Sequence, residues 1–335
     1  MKRHLAILAL AVIALDLPGA IPRPGLAQGP SSAAAGDLQA KVSSIVDRFP
    51  GDTAAATAAL AAELVALGPA GLARTCALVV PPGAANDAKA RFAVNALAVH
   101  VTRPGAETER RLFVKALHAA LSGNPDKNVA AFFITQVELA GKTESIKPLA
   151  KHLADQKLAC PAAAALQTIG GPEAAKALLK ALDRAPRSAR VSIVNALGRL
   201  RSRESVRKLL ALAEADDEDL RRASRWALAN IGDPAAGPAL AKVRVDASLA
   251  ERAEAPRLYL LHARRLAESG RTSGATKAAR RIMDSYTRPS ESALASDALS
   301  LIVSILGVKA VPDLLNAVDS PSAAVRGAAL ELATG

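Results

Sequence analysis

The sequence predicts an all-α fold: a right-handed α-α superhelix assembled from stacked helix pairs. Three observations predict it. An apolar helix, a tight turn and a second apolar helix recur about every thirty residues, as ITQVELAGKTESIKPLAKHL, AALQTIGGPEAAKALLKAL, IVNALGRLRSRESVRKLLAL and WALANIGDPAAGPALAKV. Repetition at this period marks a solenoid, whose units bury their apolar faces only against their neighbours. Half of the 335 residues are apolar while 2% are aromatic. Much of that content is alanine, the strongest helix former, which suits thin helical layers better than one thick core. Finally, the apolar positions fall into columns when the copies are aligned on their turns.

The chain opens with MKRHLAILALAVIALDLPGAIPRPGLAQGP. Lys2 and Arg3 precede an apolar run, Leu5 to Leu15, that is too short to span a bilayer. Small residues at Gly25-Leu26-Ala27 offer a cleavage point. Residues 1–27 therefore read as a secretory signal peptide, and the expected location is extracytoplasmic, periplasmic or secreted. No cysteine lies near the cleavage point, and no other apolar run is expected to reach membrane-spanning length without charges. Losing Lys2, Arg3 and Arg23 against one Asp16 takes the formal charge from +12 to +10. The mature chain stays basic, which favours an acidic protein, anionic lipid or nucleic acid as partner; export makes nucleic acid the least expected.

Residues 28–36 (QGPSSAAAG) have the composition of a flexible linker. Residues 37–85 read as an N-terminal helical capping segment, with helices near 38–49, 53–67 and 69–80 separated by Pro/Gly pairs. Residues 86–335 form the repeat solenoid. Its first pair, 86–122, breaks at Arg103-Pro104-Gly105. The later turns align on Gly141, Gly170, Arg201, Gly232, Gly270 and Leu306, spaced by 29, 31, 31, 38 and 36 residues. Four residues before each anchor stand Val137, Leu166, Leu197, Leu228, Leu266 and Ile302. One before stand Ala140, Ile169, Leu200, Ile231, Ser269 and Ile305. Eight after stand Leu149, Leu178, Leu209, Leu240, Ala278 and Leu314. Helical spacing puts these columns on one inward face. The gap of 38 implies an insertion near 246–255 that lengthens the helix through Pro256–Ser269. Pro321–Ala333 reads as the first helix of one more unit.

These units resemble the HEAT repeat of the armadillo-like class, and most closely the short bacterial form shared with phycobilisome-lyase HEAT-like proteins. The resemblance rests on Ala196-Leu197-Gly198 followed by Val206, Leu209 and Leu210, and on Leu228-Ala229-Asn230-Ile231-Gly232-Asp233-Pro234 followed by Leu240. Leu220-Arg221-Arg222-Ala223 and Val325-Arg326-Gly327-Ala328-Ala329-Leu330 match its first-helix start. It covers about 86–335, most strongly 129–245. It implies an α-solenoid that binds macromolecules along a curved surface, with enzymatic roles in a minority of relatives. The departures are the missing glycine at Arg201 and the long unit at 246–287.

The same alignment yields a candidate binding surface. Ten residues after the anchors lie Lys151, Lys180, Ala211, Lys242, Arg280 and Asn316; six after lie Lys147, Lys176, Arg207, Pro238, Thr276 and Pro312. Both columns fall on the second helix of each unit, which in the HEAT family usually lines the concave side. With helices packed about 8–10 Å apart, Lys147, Lys151, Lys176, Lys180, Arg207, Lys242 and Arg280 would form a broken basic stripe for an acidic, extended partner. The plainer reading is the solvated face of amphipathic helices. Asp216-Asp217-Glu218-Asp219 lacks the loop pattern of a calcium site; it favours the N-terminus of the following helix, within reach of Arg221, Arg222 and Arg225. His100, His118, His152 and His262 show no metal-ligand spacing, although His100 and His118 could face each other across a turn. Cys76 and Cys160, 84 residues apart, read as separate buried thiols. Trp226 reads as core packing or a single interface anchor. No nucleophile elbow or phosphate loop is present, and no cofactor is called for.

The leading expectation is a non-enzymatic interaction scaffold. The alternatives are a lyase-like or chaperone-like accessory enzyme, which would need a pocket with convergent polar groups, and a polyanion binder acting through the Lys/Arg columns.

Overall fold

The structure, a computed structural model, describes residues 32–242, 247–285 and 292–334. The leader expected at residues 1–27 lies outside them. Among the described residues all regular structure is helical. In the N-terminal part stand α1 (Ser32–Val46), α2 (Ala54–Ala66), α3 (Gly68–Ala77), α4 (Ala88–His100) and α5 (Glu107–Gly123). The segment read as a linker is helical from Ser32 onward, because the helix propensity of Ala33–Ala35 outweighs the single Gly36. Thr53 caps α2 by accepting a hydrogen bond from the Ala56 amide at 3.1 Å, a cap that satisfies one of the free N–H groups of the first turn.

The repeating pairs follow as α6 (Lys127–Ala140) with α7 (Ile146–Ala150), α8 (Ala159–Ile169) with α9 (Gly171–Ala181), and α10 (Arg187–Arg199) with α11 (Val206–Leu212). Then come α12 (Glu218–Ile231) with α13 (Gly237–Leu240), α14 (Leu249–Glu268) with α15 (Thr272–Ser285), α16 (Ser292–Leu306) with α17 (Val311–Val318), and α18 (Ala323–Thr334). The even-numbered helices from α2 to α18 pack in one row, each touching the next; α9 wedges between α8 and α10, and α15 between α14 and α16. One apolar core runs unbroken from Val42 to Leu258. Beyond it the burial divides into two smaller clusters, one around Ile282 and Ile302 and one around Leu299 and Val325.

The apolar columns explain this packing. The column from Val137 to Ile302 is buried throughout. Leu149, Leu178, Leu209, Leu240 and Ala278 are buried as well, and Leu314 is half-buried. The column next to the turn is mixed: Ala140 and Ile231 are buried, Ile169, Leu200 and Ile305 half-buried, and Ser269 exposed, since it sits where the first helix leaves the core. The turns differ in detail. Gly170, Gly232 and Gly270 take φ of +75°, +68° and +77°. Arg201 takes φ +49° without being glycine, so the left-handed turn survives the substitution. In the last unit the left-handed residue is Gly307 at +55°, one after the expected Leu306, and the turn is one residue tighter. Gly141 has ordinary φ, but a Cβ there would lie 2.5 Å from the Val137 carbonyl oxygen.

Polar tethers lock unit to unit. Buried Arg221 donates to both carboxylate oxygens of buried Glu251, at 2.6 and 3.0 Å. Glu251 also closes a capping box with Ser248 at the start of α14. Asn230 donates to the Gly198 carbonyl at 3.0 Å and accepts from Arg265 at 2.8 Å. Two expectations change here, on the arginines of α12 and on Cys160. Asp217 caps α12 as expected, but Arg221 and Arg222 pair with Glu251 and Glu254 of the next unit, and Arg225 donates to the carbonyls of Ala239, Leu240 and Lys242 at and just after α13 of its own unit. Cys76 is buried but Cys160, in the first turn of α8, is exposed, and both are free. The long unit is present as expected: α14 runs 20 residues with Pro256 inside it. Finally, Ser292–Val318 is long and apolar enough to cross a membrane by length and composition, although Gly307 interrupts it; it carries Asp297, Lys309 and Asp313, so it is not the charge-free run whose absence is expected.

Candidate functional site

The second helices carry the basic columns into solvent. Lys147 lies on α7 and Lys151 at its C-terminal cap, Lys176 and Lys180 lie on α9, Arg207 on α11 and Lys242 just after α13, and all six are exposed. None of the six makes an ion pair within 4 Å among the described residues. Arg280 on α15 differs. It grips the Asp313 carboxylate with two hydrogen bonds, at 2.7 and 2.9 Å. Asp313 is buried in the first turn of α17. Arg280 thus joins two units instead of standing free.

The sequence columns miss a concave part of this surface. Between α13 and α15 lies an open cavity of about 560 Å³. Its floor is apolar, from Leu266 and Ala278 with Tyr259, and its rim carries Lys242, Arg271, Lys277 and Arg281. A second open cavity of about 750 Å³ adjoins it along α15 and shares Lys277 and Arg281. The cause is a mismatch of helix length: α13 has four residues and α15 has 14, so α13 cannot cover its neighbour.

His262 lines the first cavity and is 1% exposed. Its Nδ1 has no hydrogen-bond partner. Burial pushes its pKa down to about 4, against a weaker upward pull from Asp233, so the ring is neutral at pH 7. It stacks on Tyr259 with ring centroids 6.3 Å apart. The buried Thr276 hydroxyl, beside the second cavity, is also unpartnered. The other histidines are not brought together: His118 Nε2 lies 2.9 Å from Ser145 Oγ, while buried His100 Nε2 has no partner. Among the described residues no group of three His, Cys, Asp or Glu side chains could hold a metal ion.

The family model for HEAT repeats matches residues 175–257, from within α9 to within α14. These residues carry HEAT repeats, and the stacked helix pairs on either side of them are consistent with a HEAT-repeat family. No curated protein matches the chain. The family match therefore covers the pairs α10–α11 and α12–α13 in full and stops inside the long unit, just short of Tyr259, His262 and the cations of α15. Trp226, within the matched part, is half-buried against Gly198 and carries the Arg199 guanidinium 5.7 Å from its ring. It lines a shallow groove on the first-helix side with Arg187, Asp217 and Glu254. HEAT repeats generally mediate protein interaction, and the charge on this chain's second helices suits that role.

Proposed function

We propose that this chain is a non-enzymatic, exported interaction scaffold that binds an acidic macromolecular partner along its second-helix face. The observation that carries the reading is the set of exposed, unpaired cations Lys147, Lys151, Lys176, Lys180, Arg207 and Lys242 on successive second helices. Unpaired cations spread over several units attract an extended acidic surface and speed its docking, while helping little with stability. Export rests on Lys2-Arg3, the Leu5–Leu15 run and the small residues before Gln28; N-terminal sequencing of the secreted or periplasmic protein tests it, with Gln28 as the expected first residue. The binding test is capture from that fraction with the full chain and with a Lys151→Glu, Lys180→Glu, Lys242→Glu triple variant. Loss of the captured acidic protein supports the reading, and unchanged capture sinks it.

The cavity beside His262 favours an accessory enzyme as a second reading, because it is ligand-sized and holds a histidine with a depressed pKa. A general base also needs a partner that orients its ring. His262 Nδ1 has none, and among the described residues no carboxylate, cysteine or serine lines that cavity. The scaffold reading accounts for more of the surface.

A further inference from the structure

We infer that the groove between α13 and α15 is the docking site for an extended acidic peptide with carboxylates at alternate positions, seated on Lys277 and Arg281 and flanked by Lys242 and Arg271. The inference rests on the reading of an acidic partner and says where that partner is gripped. Among the described residues, four cations and no carboxylate line the first cavity. Lys277 and Arg281 are four residues apart on one helix, an arrangement that is mutually destabilising without a counter-charge. Arg280 between them is already held by Asp313, and Arg271 makes only a 3.3 Å bond to Ser269 Oγ. The nearby carboxylates are otherwise placed: Asp233 caps the Ala235 amide, and Asp284 lines the second cavity.

Spacing and shape select the ligand. Lys277 and Arg281 are separated by roughly 6 Å along the helix axis. Side chains at alternate positions of an extended chain are roughly 7 Å apart, so two glutamates on one face of a strand meet the two cations. A compact anion needs cations that converge; here they are strung along two adjoining open cavities of about 560 and 750 Å³. The floor of Leu266, Ala278 and Tyr259 takes an apolar side chain of the peptide. His262 adds a second, independent sign of a ligand, as a ring 1% exposed whose Nδ1 is unpartnered beside the cavity. The groove continues the basic row at Lys242.

The test measures binding of the full chain to a fluorescein-labelled peptide, Glu-Ala-Glu-Leu-Glu-Ala-Glu, by anisotropy at low salt. The Lys277→Gln, Arg281→Gln variant should bind at least ten-fold more weakly, with an unchanged circular dichroism spectrum. A Gly237→Leu variant probes shape without changing charge. Gly237 lines the cavity and a Cβ there meets nothing nearer than His262 Nε2 at 3.6 Å; the added bulk too should weaken binding at least ten-fold, with the circular dichroism spectrum again unchanged. If the wild-type chain binds and both groove variants match it while Lys151→Glu, Lys180→Glu loses binding, the groove is not the site but the acidic-partner reading stands. If the wild-type chain binds neither this peptide nor polyglutamate, both fail. If inorganic phosphate displaces the peptide at concentrations below the peptide's own Kd, the site takes compact anions and the peptide assignment is overturned.

Discussion

From residue 127 to 242 the second helices are short, four to eleven residues, and lie close against first helices of 11 to 14 residues. In the unit that follows, α14 has 20 residues and α15 has 14. The regular units share one unbroken core that ends at Leu258, while the later units divide theirs between two smaller clusters. First helices of similar length stack in one row over that core, so a regular unit is explained almost entirely by burial. A length mismatch leaves backbone and side chains uncovered. In this chain it opens a groove, strands His262 without a full set of partners, and leaves the cations of α15 facing outward. Departures from local consistency of this sort are where function is to be sought.

Four predictions break or sharpen the comparison. The largest concerns the joint between the two regions. Glu251→Ala removes the partner of buried Arg221 and the capping box of α14. An uncompensated buried charge costs about 3–5 kcal/mol, to be read from urea unfolding; a loss below ~1 kcal/mol would show that the joint carries no strain. Next, one column position can be compared across regions. Leu209→Ala, fully buried in the long core, should cost about 2–5 kcal/mol. Leu314→Ala, half-buried in a small cluster, should cost about half as much by its smaller buried area. Equal losses would erase the distinction.

The third prediction uses pH. The unfolded chain protonates His262 near the ordinary value of 6.5, while the folded chain keeps it neutral down to about 4. Between those values the unfolded state binds more protons, so this contribution is constant above pH 6.5, is lost as pH falls toward 4, and levels off below it. The loss is at most about 3 kcal/mol by the free energy of a pKa shift. His262→Leu should flatten that part of the stability–pH curve, which difference denaturation between pH 7 and 4 reads directly. The smallest effect is at a turn. Arg201→Gly relieves a left-handed backbone worth ~1–2 kcal/mol but loses the exposed pair with Glu268, worth ~0–1 kcal/mol. A net gain of about 1 kcal/mol or less is expected in the midpoint of unfolding; a net loss would mean the pair outweighs the strain.

The helices and their inward columns were legible because burial repeats: Leu166, Leu197 and Leu228 occupy one position and meet one fate. The long unit announced itself as a gap of 38. The groove did not, for two physical reasons. It arises from the relative lengths of α13 and α15, which no single repeat contains. Column alignment also samples one position per unit and chose Arg280, whereas Asp313 on the next helix claims that guanidinium. Lys277 and Arg281, three positions before it and one after, face the open space. The tethers Arg221–Glu251 and Asn230–Arg265 were equally hidden, since each links residues thirty or more positions apart with no local pattern to mark the pairing.

The most direct test of the scaffold claim is lysine footprinting of the full chain with an acylating reagent, with and without saturating polyglutamate. The account predicts that Lys147, Lys151, Lys176, Lys180, Lys242 and Lys277 lose reactivity several-fold, while Lys41 on α1 and Lys127 at the start of α6 keep theirs. Protection spread evenly over all these lysines, or confined to Lys41 and Lys127, would contradict it.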